Sequence, residues 1–265
     1  MPQDSPLTGD SPSTEIMPNT GGMGCLYGIG VGPGDPELLT LKALKTLQKV
    51  PVICVPQAAN RRESYALSIV KDYVKSEQEI LRAPFPTDDA EGAAQVWREA
   101  SALVIERLKK GQDVAFLTEG DPMLFSTFSY VLAGVRELCP EAPVEIIPGI
   151  SSVMAAAASS GVPLATHGQR LAILPAAYGL EDLSEATSNF DTVVLMKVSS
   201  NIVNTLADLE ELGLTGQSTY VRRVSTGQEK VIRDLKEITD EDLDYFSLLI
   251  VQGKAKEHQA EEHTE

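Results

Sequence analysis

The stretch Gly28-Ile29-Gly30-Val31-Gly32-Pro33-Gly34-Asp35-Pro36 decides the fold of this chain. It begins inside the apolar run 25–29, which is typical of a buried strand. Three glycines and a proline then occupy four of the five positions from Gly30 to Gly34. Glycine permits both a tight turn and close approach of a ligand to the backbone. Asp35 and Pro36 are typical of a helix start, as N-cap and first helical residue. The stretch therefore predicts a strand, a glycine turn and a capped helix.

The predicted helix after this turn carries leucines at regular intervals. Leu38, Leu41, Leu44 and Leu47 recur every three residues. Such spacing is typical of one buried helix face. We therefore expect these four leucines to pack together against the sheet.

A dinucleotide site is the first alternative for such a turn. The pattern Gly-x-Gly-x-x-Gly, laid on Gly28 and Gly30, puts Pro33 where the third glycine must pack helix against strand. The next apolar run, 52–55, ends in Pro56 and offers no carboxylate for a ribose. A phosphate loop ending in Gly-Lys-Ser/Thr does not occur in the sequence either. The sequence thus disfavours a nicotinamide oxidoreductase.

The strand, turn and helix pattern occurs twice more. Residues 114–117 precede Thr118-Glu119-Gly120-Asp121-Pro122 and a helix-like stretch 123–128. Residues 144–147 precede Pro148-Gly149-Ile150-Ser151-Ser152 and an alanine-rich helix that ends at Gly161, with Ser151 or Ser152 as its cap. Each turn alone is explained equally well as an ordinary connection. Three such turns favour a ligand at the carboxyl edge of a parallel sheet.

The order of elements predicts an α/β protein of two α/β domains. Strands at 25–30, 51–56, 79–84, 113–118 and 144–147 alternate with helices, which implies a parallel-sheet N-terminal domain over 24–161. Beyond it, strands at 171–174, 192–196, 219–221 and 246–251, a helix at 201–212 and a short strand within 231–235 imply a mixed-sheet C-terminal domain over 162–252. Residues 1–23 and 253–265 are expected to be a disordered leader and a frayed tail. The active site is expected in the cleft between the domains.

Composition excludes several classes of protein. The 265 residues are 43% hydrophobic, and 38 acidic against 22 basic residues give a net charge of −16. Such a field repels nucleic acid and anionic membranes, and no apolar run reaches membrane-spanning length. Cys25, Cys54 and Cys139 are few and far apart, which predicts reduced thiols and a cytoplasmic location. No cysteine or histidine cluster has the spacing of metal ligands.

The three turns, in this order, resemble those of the tetrapyrrole methylases. The resemblance rests on 30–36, Gly120-Asp121-Pro122 and 148–152, and it covers about residues 24–251. The segments 63–70, 115–122, 125–128, 191–198 and 244–251 resemble, more narrowly, the members that methylate C20 of precorrin-2 or its cobalt form. Two alternatives remain open here. One is methylation at another ring position of a corrin or sirohaem precursor, and the other is a non-catalytic tetrapyrrole- or adenosine-binding module.

The resemblance implies a methyl donor, S-adenosyl-L-methionine, and a small-molecule tetrapyrrole substrate, without a metal. It also implies a homodimer. Carried over by position, the residues that would contact the donor are Pro33, Gly120, Asp121, Leu124, Ser151, Ser152, Met196, Lys197 and Thr226. Asp121 has a second explanation, since an aspartate before Pro122 would also cap a helix.

The substrate and the proton that it loses need further residues. A tetrapyrrole precursor carries many carboxylates, so the resemblance requires a basic cleft within an acidic protein. Six arginines could supply it, although a solvated surface is their ordinary place: the adjacent pairs Arg61, Arg62 and Arg222, Arg223, which we favour, and Arg82 and Arg170. For the base we favour Glu119, at a strand end beside the donor site. Asp35, His167 and Tyr178 are the alternatives.

Overall fold

The computed structural model describes residues 22–58, 64–86, 90–175 and 179–253. Nearly all of the predicted leader and tail lie outside these ranges. The first of two five-stranded sheets is wholly parallel, as predicted, with the strand order β3-β2-β4-β1-β5. Its strands are Leu26–Gly30 (β1), Val52–Ala58 (β2), Glu79–Phe85 (β3), Val114–Thr118 (β4) and Val144–Ile147 (β5).

Helices cover both faces of this sheet. They are Leu41–Leu47 (α1), Tyr65–Val70 (α2), Ala90–Lys109 (α3) and Phe128–Leu138 (α4). Neighbouring residues of β4 enter different cores: Phe116 packs with Phe128 of α4, whereas Leu117 packs with Leu47 of α1. The strands β1 and β4 are therefore buried at every position, as expected of parallel strands covered on both faces.

The second sheet is mixed, with the order β6-β7-β10-β8-β9. β6 and β7 are parallel, and the other neighbours are antiparallel. None of the helices in the described ranges has both the length and the apolar character that a membrane crossing requires. The elements are Leu171–Pro175 (β6), Leu180–Asn189 (α6), Thr192–Met196 (β7), Ile202–Glu211 (α7), Ser218–Arg222 (β8), Lys230–Ile232 (β9) and Ser247–Gln252 (β10).

One helix connects the two sheets. Ser152–Ser160 (α5) follows β5, and its residues Val153 and Ala156 pack against Val221 and Ile250 of the second sheet. The side chain of Ser151 accepts a hydrogen bond from the N–H of Met154 at 3.3 Å, which confirms a predicted cap. Gly161 ends the helix with φ 68°, also as predicted. The domain boundary near residue 161 stays a prediction.

The leucine face predicted for the first helix is wrong. Asp35 caps only a 3₁₀ turn, Pro36–Leu38, and Thr40 caps the α-helix that follows. Leu41 is 75% exposed, and Ala43, Thr46 and Leu47 form the buried side of the helix. A spacing of three falls short of the helical repeat of 3.6, so a row of such residues turns away from the core by about 60° per step.

The stretch 123–128 is also not a helix. α4 begins only at Phe128, and the hydroxyl of Ser126 accepts a hydrogen bond from its N–H at 3.1 Å. Asp121 therefore caps no helix: its carboxylate accepts from the N–H of Met123 at 2.8 Å and so closes a local turn. Phe125 has φ 49°, which no helix interior allows. The chain between β4 and α4 is thus a shaped loop.

The three cysteines carry free thiols, as predicted. Cys54 and Cys139 are buried, and Cys25 is partly buried. Burial raises the pKa of Cys25 to about 11, so its thiol stays protonated at neutral pH.

Candidate active site

The three glycine turns meet at the carboxyl edge of the first sheet, as the sequence predicts. The N–H of Gly120 donates to the carbonyl of Gly32 at 2.8 Å, and the reverse bond measures 3.3 Å. A Cβ atom on Gly30 or Gly149 would overlap the carbonyl oxygen of Gly120. Any side chain at these two positions would therefore force the turns apart, which explains why both are glycine.

A carboxylate fastens the second turn to the third. One oxygen of Asp121 accepts the N–H of Met123, and the other accepts the N–H of Gly149 at 3.0 Å. Each carboxylate oxygen has a second lone pair, so Asp121 can still accept a bond from a ligand. The predicted donor contact and this structural role therefore share one side chain.

A cavity of about 480 Å³ opens beside these turns, between the two sheets. Its volume lies within the range of about 300–1,000 Å³ that is usual for small-molecule sites. The structure brings eight of the nine predicted donor-binding residues to its wall: Pro33, Gly120, Asp121, Leu124, Ser151, Ser152, Met196 and Lys197. Glu119 and Arg223 also line the cavity.

Thr226, the ninth predicted residue, lies behind the wall. Its methyl group stands where a side chain on Gly34 would point. Its hydroxyl donates to the carbonyl of Arg223 at 2.7 Å. Thr226 thus connects the first glycine turn to the C-terminal sheet without lining the cavity.

Several other predicted residues are not on the described wall. Arg222 donates from Nη1 to the carbonyl of Glu241 at 3.0 Å, and its Nε lies 3.6 Å from Asp242. Its guanidinium is therefore engaged within the C-terminal domain. Arg82, Arg170, Asp35 and His167 do not line the cavity either. Arg61, Arg62 and Tyr178 lie outside the described residues.

The expected basic cleft does not appear in the described part of the wall. Two anionic side chains, Glu119 and Asp121, are balanced there by two cationic ones, Lys197 and Arg223. The physical reason is that Arg222 pairs with a buried aspartate instead of facing the cavity. Within the described ranges, no three His, Cys, Asp or Glu side chains come together as a metal site.

Sequence reasoning missed an aromatic contact across the cleft. Tyr65 of α2 stacks on Phe246 of the C-terminal domain, with ring centroids 4.4 Å apart, and Tyr245 meets Phe246 edge-on at 5.3 Å. All three rings line the cavity. Burial raises the pKa of Tyr65, although Arg223 opposes this shift, so its phenol stays protonated at neutral pH. Tyr65 can donate a hydrogen bond there but is no proton acceptor.

Strained backbone is concentrated at the same cavity. Four non-glycine residues of the described chain have positive φ, and three of them line it: Phe125 at 49°, Lys197 at 57° and Arg223 at 44°. Each such residue costs about 1 kcal/mol or more, and residues of this kind cluster at functional sites. The strain indicates that the surrounding structure holds these three residues in fixed orientations at the cavity.

The fold and the cavity define a two-domain α/β protein with a cavity of small-molecule size between its sheets. A solved structure of the same fold is the uroporphyrin-III C-methyl transferase of Thermus thermophilus, described as complexed with S-adenyl homocysteine. It superposes with a TM-score of 0.61 and 25% sequence identity, over 86% of this chain and 92% of that one.

Residues 25–239 match the family model of the tetrapyrrole (corrin/porphyrin) methylases, and the chain belongs to this family. Two relatives are similar over most of their length. A probable cobalt-precorrin-2 C(20)-methyltransferase of Methanocaldococcus jannaschii is 40% identical, over 85% of this chain and 95% of that protein. The cobalt-precorrin-2 C(20)-methyltransferase of Salmonella typhimurium is 35% identical, over 86% of this chain and 96% of that protein.

Proposed function

We propose that this chain transfers the methyl group of S-adenosylmethionine to C20 of precorrin-2 or of its cobalt form, giving precorrin-3A or the cobalt analogue. The observation that carries this proposal is the meeting of three glycine turns beside a cavity of about 480 Å³. Two relatives that are 35% and 40% identical carry this activity in their names. This similarity supports the choice of C20 over other ring positions.

The described residues fit the proposed methyl donor. At Gly30 and Gly149 the turns pack with no room for a Cβ, and Gly120, which lines the cavity, has φ 64°. Bare backbone therefore forms part of one rim of the cavity. Glu119 and Asp121 put two carboxylates on the wall, and these suit a ligand that carries a positive sulfonium and an ammonium group. We assign donor binding to the eight predicted residues on the wall, with Thr226 supporting them from behind.

The donor supplies an activated methyl group, so the chain needs no nucleophile of its own. Its tasks are to align the two reactants, to exclude water and to accept a proton. As the new bond to C20 forms, the bond from sulfur to the methyl carbon breaks, and C20 afterwards loses its hydrogen as a proton. We assign the acceptance of this proton to the carboxylate of Glu119, which follows β4 on the cavity wall.

Substrate carboxylates need cations, and we assign Arg223 to them because it lines the cavity. Arg61 and Arg62 remain proposals for the same role. We do not assign the binding of substrate carboxylates to Arg222, since its guanidinium pairs with Asp242. We further propose a homodimer, as the resemblance to the family suggests, and a cytoplasmic location, as the free cysteines suggest. Light scattering at several protein concentrations tests the dimer.

The deciding experiment locates the transferred methyl group. Protein is incubated with precorrin-2 and a donor that carries ¹³C in its methyl group, and the product is examined by carbon NMR. Label at C20 supports the proposal, and label at another carbon assigns the chain to a different ring position. Binding of both ligands without transfer, measured by calorimetric titration, would instead indicate a binding module.

A further inference from the structure

Two adjacent arginines form two ion pairs of different character. Arg222 and Arg223 stand at the end of β8, and each pairs with an aspartate from the segment that leads into β10. Arg222 pairs with the buried Asp242, away from the cavity. Arg223 lies on the cavity wall and pairs with Asp244. Only the second pair is therefore placed to act on a ligand.

Several contacts hold Arg223 in position. Its Nε donates to Asp244 at 2.6 Å, and its backbone N–H donates to the carbonyl of Phe246 at 2.7 Å. The guanidinium carbon lies 6.0 Å from the centroid of the Phe246 ring. The second carboxylate oxygen of Asp244 accepts the N–H of Phe246 at 2.8 Å. One carboxylate thus fixes both the guanidinium and the aromatic residue next to it.

The outer end of the same guanidinium is available to a ligand. No hydrogen bond joins the Nη groups of Arg223 to any described residue, and its side chain is 32% exposed. Two parallel N–H groups match the two oxygens of a carboxylate. Beside them, the stacked rings of Phe246 and Tyr65 give the wall an apolar surface. A carboxylate next to an apolar ring system is the pattern that a tetrapyrrole presents.

We infer that Asp244 is a positioning residue for tetrapyrrole recognition. It directs the Nη groups of Arg223 toward a substrate carboxylate and holds Phe246 beside the macrocycle. Asp244 does not line the cavity, and its side chain is 14% exposed, so it acts through Arg223. This inference rests on the proposed function, because it requires that the cavity admits a tetrapyrrole.

The first test is Asp244→Asn. The amide oxygen of asparagine still accepts the N–H of Phe246, whereas the ion pair with Arg223 is lost. We expect KM for cobalt-precorrin-2 to rise roughly tenfold, as expected when a charge-assisted bond is misdirected. The dissociation constant for cobalt-precorrin-2, measured with S-adenosylhomocysteine present, rises equally. kcat and the affinity for S-adenosylhomocysteine stay within about twofold of wild type.

Matched variants separate positioning from general stability. Asp242→Asn breaks the neighbouring ion pair and lowers the melting temperature, but it leaves KM for the tetrapyrrole unchanged. Arg223→Lys keeps the charge, loses the bond from Nε and must raise KM as Asp244→Asn does. Because Arg223→Lys leaves Asp244 in place, an unchanged KM in this variant overturns the inference even if Asp244→Asn fails to fold. In a variant that already carries Arg223→Ala, adding Asp244→Asn must not raise KM for the tetrapyrrole any further.

Three outcomes overturn the inference: an unchanged KM in Asp244→Asn, an unchanged KM in Arg223→Lys, or effects of Asp244→Asn that persist in Arg223→Ala. Its failure differs from failure of the proposed function. If wild type binds cobalt-precorrin-2 but places no label at C20, the proposed reaction is wrong, and the ratio of dissociation constants still decides the role of Asp244. If wild type binds no tetrapyrrole, both are wrong.

Discussion

The carboxylate of Asp121 accepts the backbone N–H of Gly149 at 3.0 Å, across 28 positions of sequence. β4 and β5, the strands before these two residues, flank β1 in the sheet. The bond therefore passes over the end of β1, where a Cβ on Gly30 would overlap both neighbouring turns. This side chain joins the second turn to the third, and the backbone bonds between Gly32 and Gly120 join the first turn to the second.

Asp121→Asn is expected to loosen this rim. Asparagine offers one acceptor oxygen where two backbone N–H groups, of Met123 and Gly149, now donate. The variant should lose about 1–3 kcal/mol of unfolding free energy, because one of two hydrogen bonds to a charged carboxylate is lost or replaced by a contact between two donors. Affinity for S-adenosylhomocysteine should fall as well. Urea unfolding and calorimetric titration measure the two effects.

Asp35→Asn is the matched control, because the same Asp-Pro sequence occurs there. Asp35 accepts one hydrogen bond, from Glu37, and asparagine can replace it in that role. The unfolding free energy of Asp35→Asn should stay near that of wild type. Equal stability of Asp121→Asn and wild type would contradict the role given to Asp121.

Gly149→Ala should disrupt the fold at the same point. Its methyl group would overlap the carbonyl oxygen of Gly120 and the backbone of Gly30, which cannot move without opening the sheet edge. We expect a loss of about 3 kcal/mol or more in unfolding free energy. Gly92→Ala is the control: among the described residues, no neighbour lies within 4 Å of a Cβ at that position in α3, so alanine should add about 0.5–1 kcal/mol of helix stability. A tolerated Gly149→Ala would show that the turns can separate.

Glu119→Gln tests the proposed proton acceptor. Glutamine keeps the shape of the side chain but cannot take up a proton, so kcat should fall about a hundredfold or more. Affinity for S-adenosylhomocysteine should fall much less than kcat, since the backbone turns and the carboxylate of Asp121 are untouched. Single-turnover assays with labelled donor measure the rate. His167→Gln is the control, because His167 does not line the cavity and its loss should leave kcat unchanged. Full activity of Glu119→Gln would remove Glu119 from the mechanism.

Asp242 should make the free energy of unfolding depend on pH in the acid range. The hydrogen bond from Lys230, together with bonds from Thr239, lowers the pKa of Asp242 from 3.8 to about 2. The folded state therefore favours the ionised carboxylate, and this stabilisation is present above about pH 4 and lost as the pH falls toward 2. Asp242→Asn should cost about 1–3 kcal/mol at neutral pH. Its difference from wild type should shrink in urea unfolding at pH 3.

The control for acid stability is Glu106→Gln on α3. Glu106 pairs with Lys110 on the exposed surface, where ion pairs contribute little, so this variant should follow wild type at every pH. A constant difference between Asp242→Asn and wild type from pH 7 to pH 3 would contradict the assigned cause.

Local patterns predicted most of the fold and much of the site. Strands such as 114–118 begin with an unbroken apolar run, 114–117, and turns such as 148–152 carry the glycine and serine that such connections need. The two wrong helix predictions came from sequence patterns that fit more than one local structure. The leucines of the first helix had a spacing of three, and the loop before α4 had a helix-like composition. Packing and hydrogen bonds to Asp121 and Ser126 decided against those predictions.

The sequence by itself determined the α/β class, the parallel first sheet, the three glycine turns and the family, because each depends on residues that are close in the chain. Only the tertiary structure decided which side chains share a site. Tyr65 and Phe246 stack across the cleft although they are 181 positions apart in the sequence. Arg222 and Arg223 are adjacent in sequence, yet Arg222 is the last residue of β8 and Arg223 leaves the strand with φ 44°. Because of where the segment before β10 lies, Arg222 pairs with the buried Asp242, whereas Arg223 pairs with Asp244 and lines the cavity.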